Sequence, residues 1–167
     1  MLIIVLRLLH VVAAVLWTGG AVVVAAFLVP SVLAAGPAGG VVMREIVGVR
    51  KLPVQLTILG WITVLAGFAL YGIDMRGSAW GGTMAGMIFG VGGVCGLIAL
   101  LIGTFWSRPV AARLMALGSQ MASAGSPPPA PLVAEVQGLQ SSLAKATKAV
   151  ALFAVLAAIA MSVARYV

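Results

Sequence analysis

LIIVLRLLHVVAAVLWTGGAVVVAAFLVPSVL, residues 2–33, is a run of apolar side chains holding a single charge, Arg7. A membrane-spanning α-helix needs about 20 consecutive apolar residues, and this run exceeds that length. The apolar part of a cleaved signal peptide is only about 7–15 residues long. Ser31-Val32-Leu33-Ala34-Ala35 offers small residues of the kind found at cleavage sites, yet the length of the run reads as a retained helix. Three more apolar runs follow: Pro53 to Tyr71, Gly82 to Trp106 and Ala149 to Val163, the last extended by the segment before it. Proline and glycine punctuate them. Pro30 and Gly36-Pro37-Ala38-Gly39-Gly40 end the first, Pro53 suits the opening turn of the second, and Pro109 follows the third.

Composition leads to the same class. Of the 167 residues, 63% are hydrophobic and 8% charged, and the mean hydropathy is +1.22. Soluble domains carry about 25% charged residues, and a chain this poor in charge lacks the polar surface to face water. The expected fold is all-α, an integral membrane four-helix bundle forming one domain over residues 1–167. The lipid bilayer is its first partner. Residues 107–147 are read as a cytoplasmic connection. In it a short helix from Ala111 to Ala122 is followed by a flexible Gly/Ser/Pro segment near 125–131. Beyond that, Leu132, Val136, Leu139 and Leu143 recur at helical spacing among polar residues, the pattern of an amphipathic helix leading into the fourth span.

The net charge of +7 comes from ten Lys and Arg against Glu45, Asp74 and Glu135. The basic residues form no stripe with interleaved aromatics, so nucleic acid is not an expected partner. They sort instead by loop. Arg44, Arg50 and Lys51 lie in the first loop, and Arg108, Arg113, Lys145 and Lys148 in the third. Arg7, Arg76 and Arg165 fall on the opposite side of the membrane. The excess of cations in cytoplasmic loops then puts both termini outside the cytoplasm.

His10 is the single histidine, and it lies inside the first span. An ionisable residue within a membrane span is a functional candidate by default because its burial in lipid is costly. Its bland role would be a neutral imidazole bonded to a neighbouring helix. Arg7, His10, Ala13 or Ala14, Trp17, and Gly20 or Ala21 share one helix face. The small residues leave space for a flat ligand, and Arg7 would sit at the outer interface. By topology Met75, Met84, Met87 and Met161 occupy the same half as His10, and Met84 and Met87, three apart, share a face. Imidazole and thioether donors suit haem iron or Cu(I). One His and the lone Cys95 cannot make a four-ligand zinc site. The three acids stand in three different loops, and no Cys-x-x-Cys-His, catalytic triad or nucleotide fingerprint is present. In the third run Gly82, Gly86, Gly90, Gly92 and Gly96 repeat at the spacing that lets backbones approach, which suits packing within the bundle, a homodimer or larger complex, or a flat ligand.

Leu9-His10-Val11-Val12-Ala13-Ala14-Val15-Leu16-Trp17-Thr18-Gly19-Gly20 resembles the first helix of the copper-resistance protein D superfamily and of related predicted bacterial membrane proteins. It is also distantly similar to HemJ-type protoporphyrinogen oxidase. Arg50-Lys51-Leu52-Pro53 followed by Thr57, Gly60, Thr63 and Gly67 looks like the second helix of those families. The resemblance covers most of the chain as a four-helix pattern and is most specific in the first helix. It implies a bacterial inner-membrane protein in which His10 holds b-type haem; Arg7 and Trp17, which share the His10 face, are then the candidate residues beside the cofactor. The copper branch implies copper handling instead, for which His10, Met84 and Met87 are the candidate ligands by their donor chemistry and their shared half of the membrane. The chain lacks a further histidine and a lysine inside the third helix, as HemJ-type enzymes have, and is shorter than copper-resistance proteins. The expected role is electron transfer or haem handling by a membrane oxidoreductase component. The alternatives are copper handling or transport and a cofactor-free accessory subunit.

Overall fold

The computed structural model describes residues 1–76, 79–123 and 129–167. Among these residues the chain is helical almost throughout and contains no strand. Among the described residues four helices are long and apolar enough to cross a membrane: α1 (Leu2–Ala34), α3 (Leu52–Asp74), α4 (Met84–Met121) and α5 (Ala130–Tyr166). The short helix α2 (Pro37–Met43) stands between the first two.

Neighbouring helices run antiparallel, and small residues fix their register. Between α1 and α3, Gly20 faces Leu56, Gly60 faces Trp17, and Gly67 faces His10. Between α4 and α5, Gly92 lies against Ala157, Ala160 and Met161, Gly96 against Ala157, and Gly103 against Val150. These two pairs make the most extensive contacts in the molecule, and α3 with α4 and α1 with α5 close the bundle. Their shared core joins Trp17 and Ala21 of α1, Val64 of α3, Leu100 of α4, and Val150 and Ala154 of α5. Ala99 and Ala146 are fully buried. In lipid, apolar side chains gain little by leaving the solvent, so helix association rests on van der Waals packing at close range. Small residues on facing helices provide it.

The helices differ in reach. At about 1.5 Å per residue, the 23 residues of α3 cover roughly 35 Å, close to a hydrocarbon slab of about 30 Å. The other three have 33, 38 and 37 residues. The surplus of all three lies at the end of the bundle opposite the termini, where α1, α4 and α5 continue beyond the start of α3. A second core forms there from Val29, Ala111 and Leu143, with Met43, Val47 and Leu114 packed around it. Arg113 donates two hydrogen bonds to Glu135 Oε1, at 3.0 Å and 2.8 Å, joining α4 to α5, and the Trp106 indole N–H donates to Ser142 Oγ. The stripe expected to lead into the fourth span is thus part of one helix, Ala130–Val163. It buries Leu143 and half-buries Leu132, Val136 and Leu139, the apolar stripe of the expected amphipathic helix.

Two prolines expected to end helices do not. Pro30 and Pro109 each sit two residues beyond a π-helical turn, Val24–Leu28 and Gly103–Ser107 respectively. A helical proline lacks an N–H, and its ring collides with the carbonyl four residues earlier. Those carbonyls belong to Ala26 and Phe105, inside the widened turns, where the ladder bonds already reach five residues. The third run therefore continues without a break into the segment expected as a separate Ala111–Ala122 helix. Gly36 adopts φ +55°, a backbone that glycine tolerates, and Gly36-Pro37 starts α2 rather than a loop. Gly39 lies directly on the Val32 carbonyl, leaving no space for a Cβ. The segment expected to be flexible near 125–131 lies mostly outside the described residues. Pro129 caps α5, and Pro131 is in its first turn.

The glycines of α4 fulfil specific roles within the chain. Gly86 is beneath the Trp80 carbonyl, Gly90 is next to the Tyr71 hydroxyl, and Gly92 and Gly96 face α5, whereas Gly82 has open space. Gly92→Leu would force its side chain into Met161 Cγ, 3.0 Å from a Cβ, and the Ala157 carbonyl, 3.3 Å away. It should cost at least about 1–3 kcal/mol, read as a lower midpoint of thermal denaturation in detergent. Gly82→Leu should change that midpoint little.

Candidate functional site

α1 brings His10 against α3 through a contact that only small residues permit. A Cβ added at Gly67 would lie 2.7 Å from His10 Cε1 and 2.9 Å from Nδ1, so the ring rests on bare backbone. One turn earlier on α3, the Thr63 carbonyl lies 2.7 Å from His10 Nδ1. The Thr63 hydroxyl is turned away and donates to Leu59 O at 2.8 Å. A carbonyl oxygen accepts only, so Nδ1 is the protonated nitrogen. It uses the oxygen's second lone pair, since the first belongs to the helix ladder.

The tautomer of the imidazole follows directly. With its proton on Nδ1 a neutral ring carries a lone pair on Nε2, and no described group hydrogen-bonds Nε2. Ligating histidines commonly show the same arrangement, in which a backbone carbonyl holds one nitrogen and orients the other. The half-buried ring also has a structural role, because its bond joins α1 to α3 within the span. Thr63 and Gly67, four residues apart on one face of α3, are the partners that a reading of α1 by itself misses, and that spacing is their sequence signal.

The other expected site residues are spread through the fold. Arg7, one turn nearer the end with the termini, is exposed and has no ion pair among the described residues. Trp17 is only 5% exposed and belongs to the central core, with its ring against Gly60. Met84 and Met87 are 59% and 50% exposed. They lie on α4, which packs chiefly against α5 and α3, so the structure does not assemble them with His10 into a ligand set. Met75 covers Gly81, and Met161 covers Gly92. Among the described residues no three His, Cys, Asp or Glu side chains gather to hold a metal. Near the end with the termini, Tyr71 donates to Gly86 O at 3.2 Å. Its ring meets Trp80 edge-on at 5.5 Å, and Trp80 in turn packs on Phe89.

No family model, curated protein or solved structure matches this chain. The chemistry of the site therefore rests on its own geometry.

Gly67→Ala should drive a methyl group into the His10 ring and break the Thr63 bond, lowering stability by about 1–3 kcal/mol. Adding His10→Ala removes the obstacle, so the double variant should lose less than the sum of the two single losses. A double-mutant cycle of thermal midpoints measures this coupling, and strict additivity would contradict the contact.

Proposed function

We propose that this protein is a small multi-pass protein of the bacterial inner membrane that binds b-type haem through His10 Nε2, in an electron-transfer or haem-handling role. The supporting observation is the His10 Nδ1–H···O=C bond to Thr63 at 2.7 Å, which leaves the Nε2 lone pair of a neutral imidazole without a hydrogen-bond partner among the described residues. The donor fits iron, which haem proteins commonly hold through an imidazole. The resemblance of Leu9–Gly20 to the copper-resistance and HemJ-type first helix favours the same residue.

In this reading the haem supplies a one-electron couple. The chain's own groups set its environment. Thr63 orients the imidazole through the Nδ1 proton. Gly67 leaves the ring room against α3, and Arg7, exposed one turn nearer the end with the termini, would pair with a propionate in this reading. One histidine per chain gives one imidazole ligand, so bis-imidazole ligation would require two chains. Seven of the ten Lys and Arg lie in the first and third connections, which orients that end to the cytoplasm and both termini away from it.

Protein purified in detergent after expression with haem supply should show a Soret band that shifts and sharpens on dithionite reduction, with α and β bands. His10→Ala should remove those bands while membrane insertion is retained. A colourless wild-type preparation overturns the haem assignment. Stoichiometric copper in that preparation would replace it with copper bound at His10.

A further inference from the structure

Away from His10, toward the end opposite the termini, a cavity of about 80 Å³ opens among all four long helices. Apolar side chains form most of its wall, yet its polar groups are unbalanced. Thr104 and Ser107 line it, and both hydroxyl oxygens are buried without a hydrogen-bond partner. Trp17 lines it too and is 95% buried. No hydrogen bond from its indole N–H is present among the described residues. Arg108 lies at the rim, exposed and without an ion pair among those residues. The two remaining hydroxyls, Thr57 and Thr147, have already donated their protons to the carbonyls of Pro53 and Leu143.

Both orphan hydroxyls lie in an irregular stretch of backbone. In a regular apolar helix Ser and Thr donate to a carbonyl three or four residues back, as Thr57, Thr63 and Thr147 all do. Thr104 and Ser107 lie within the π-helical turn Gly103–Ser107, where neither makes such a bond. Turns of this kind concentrate at functional sites. A buried hydroxyl left unpaired costs roughly 1–3 kcal/mol, so two of them in one small space call for an occupant.

We propose that the cavity binds a small oxyanion, a phosphate or carboxylate group. The hydroxyls of Thr104 and Ser107, the indole N–H of Trp17 and the Arg108 guanidinium all have protons to donate. The last two have no capacity to accept, and Arg108 adds positive charge. The complement is a group that only accepts, carries negative charge and presents several oxygens. A water molecule takes about 30 Å³ of liquid volume, so the space holds more than one water-sized atom group. The same chemistry is offered by a free anion and by the headgroup phosphate of an anionic phospholipid reaching in past Arg108.

The test compares full-length protein in nanodiscs of phosphatidylcholine with discs containing phosphatidylglycerol, with and without inorganic phosphate at constant ionic strength. The readout is the thermal midpoint of wild type, Thr104→Val/Ser107→Ala and Arg108→Gln. In phosphatidylcholine without phosphate the double variant should be at least as stable as wild type, because it removes unpaired hydroxyls. Phosphate should raise the wild-type midpoint by roughly 3 °C or more near saturation and leave both variants unmoved; that result assigns a free oxyanion. A rise confined to phosphatidylglycerol discs, again lost in both variants, assigns the lipid phosphate. If neither addition moves wild type, or the variants respond equally, the donors face water only and the proposal fails.

Discussion

Helix association in lipid gains little from apolar burial, because the solvent is already apolar. This protein depends on close approach between backbones. Glycine and alanine occupy the places where helices meet, so Gly92 and Gly96 lie against Ala157, Gly60 against Trp17 and Gly67 against His10. Each small residue creates a recess, and the partner helix fills it. The register of α1 against α3 that these recesses fix is the register that places the His10 ring beside the Thr63 carbonyl.

The same constraint applies to the polar groups. With no water in the slab, backbone and side-chain donors must find partners within the chain. Thr57, Thr63 and Thr147 do so through their own helices. His10 does so across to another helix, using one nitrogen and leaving the second available. The π-helical turns Val24–Leu28 and Gly103–Ser107 relax the helix ladder where Pro30 and Pro109 would otherwise break it. Two hydroxyls within the second of these turns, those of Thr104 and Ser107, are unpaired, and both residues line a cavity. Accommodation of a proline and construction of a polar recess thus share five residues of α4.

The end opposite the termini follows a different logic. There α1, α4 and α5 extend past α3 and build a core of their own around Val29, Ala111 and Leu143. Ion pairs between exposed partners, Arg113 with Glu135 and Arg50 with Glu45, lie at this end. Such pairs contribute about 0–1 kcal/mol each, so apolar contact carries most of the stability of this extension.

The sequence by itself determined the four spans, because length and hydropathy decide whether a helix suits lipid and neither depends on a neighbour. It also singled out His10, since an imidazole in such a run is conspicuous by composition. Tertiary structure alone decided which of the two imidazole nitrogens is committed, because that depends on the Thr63 carbonyl fifty-three positions away. It separated Met84 and Met87 from His10 through the order of helices around the bundle, which periodicity within a helix does not encode. It placed Trp17 in the core and beside a cavity, and assigned four of the α4 glycines to contacts within the chain. Pro30 and Pro109 look like helix ends in sequence because a regular ladder has no room for the ring. Only the folded backbone shows the ladder widened by one residue to admit them.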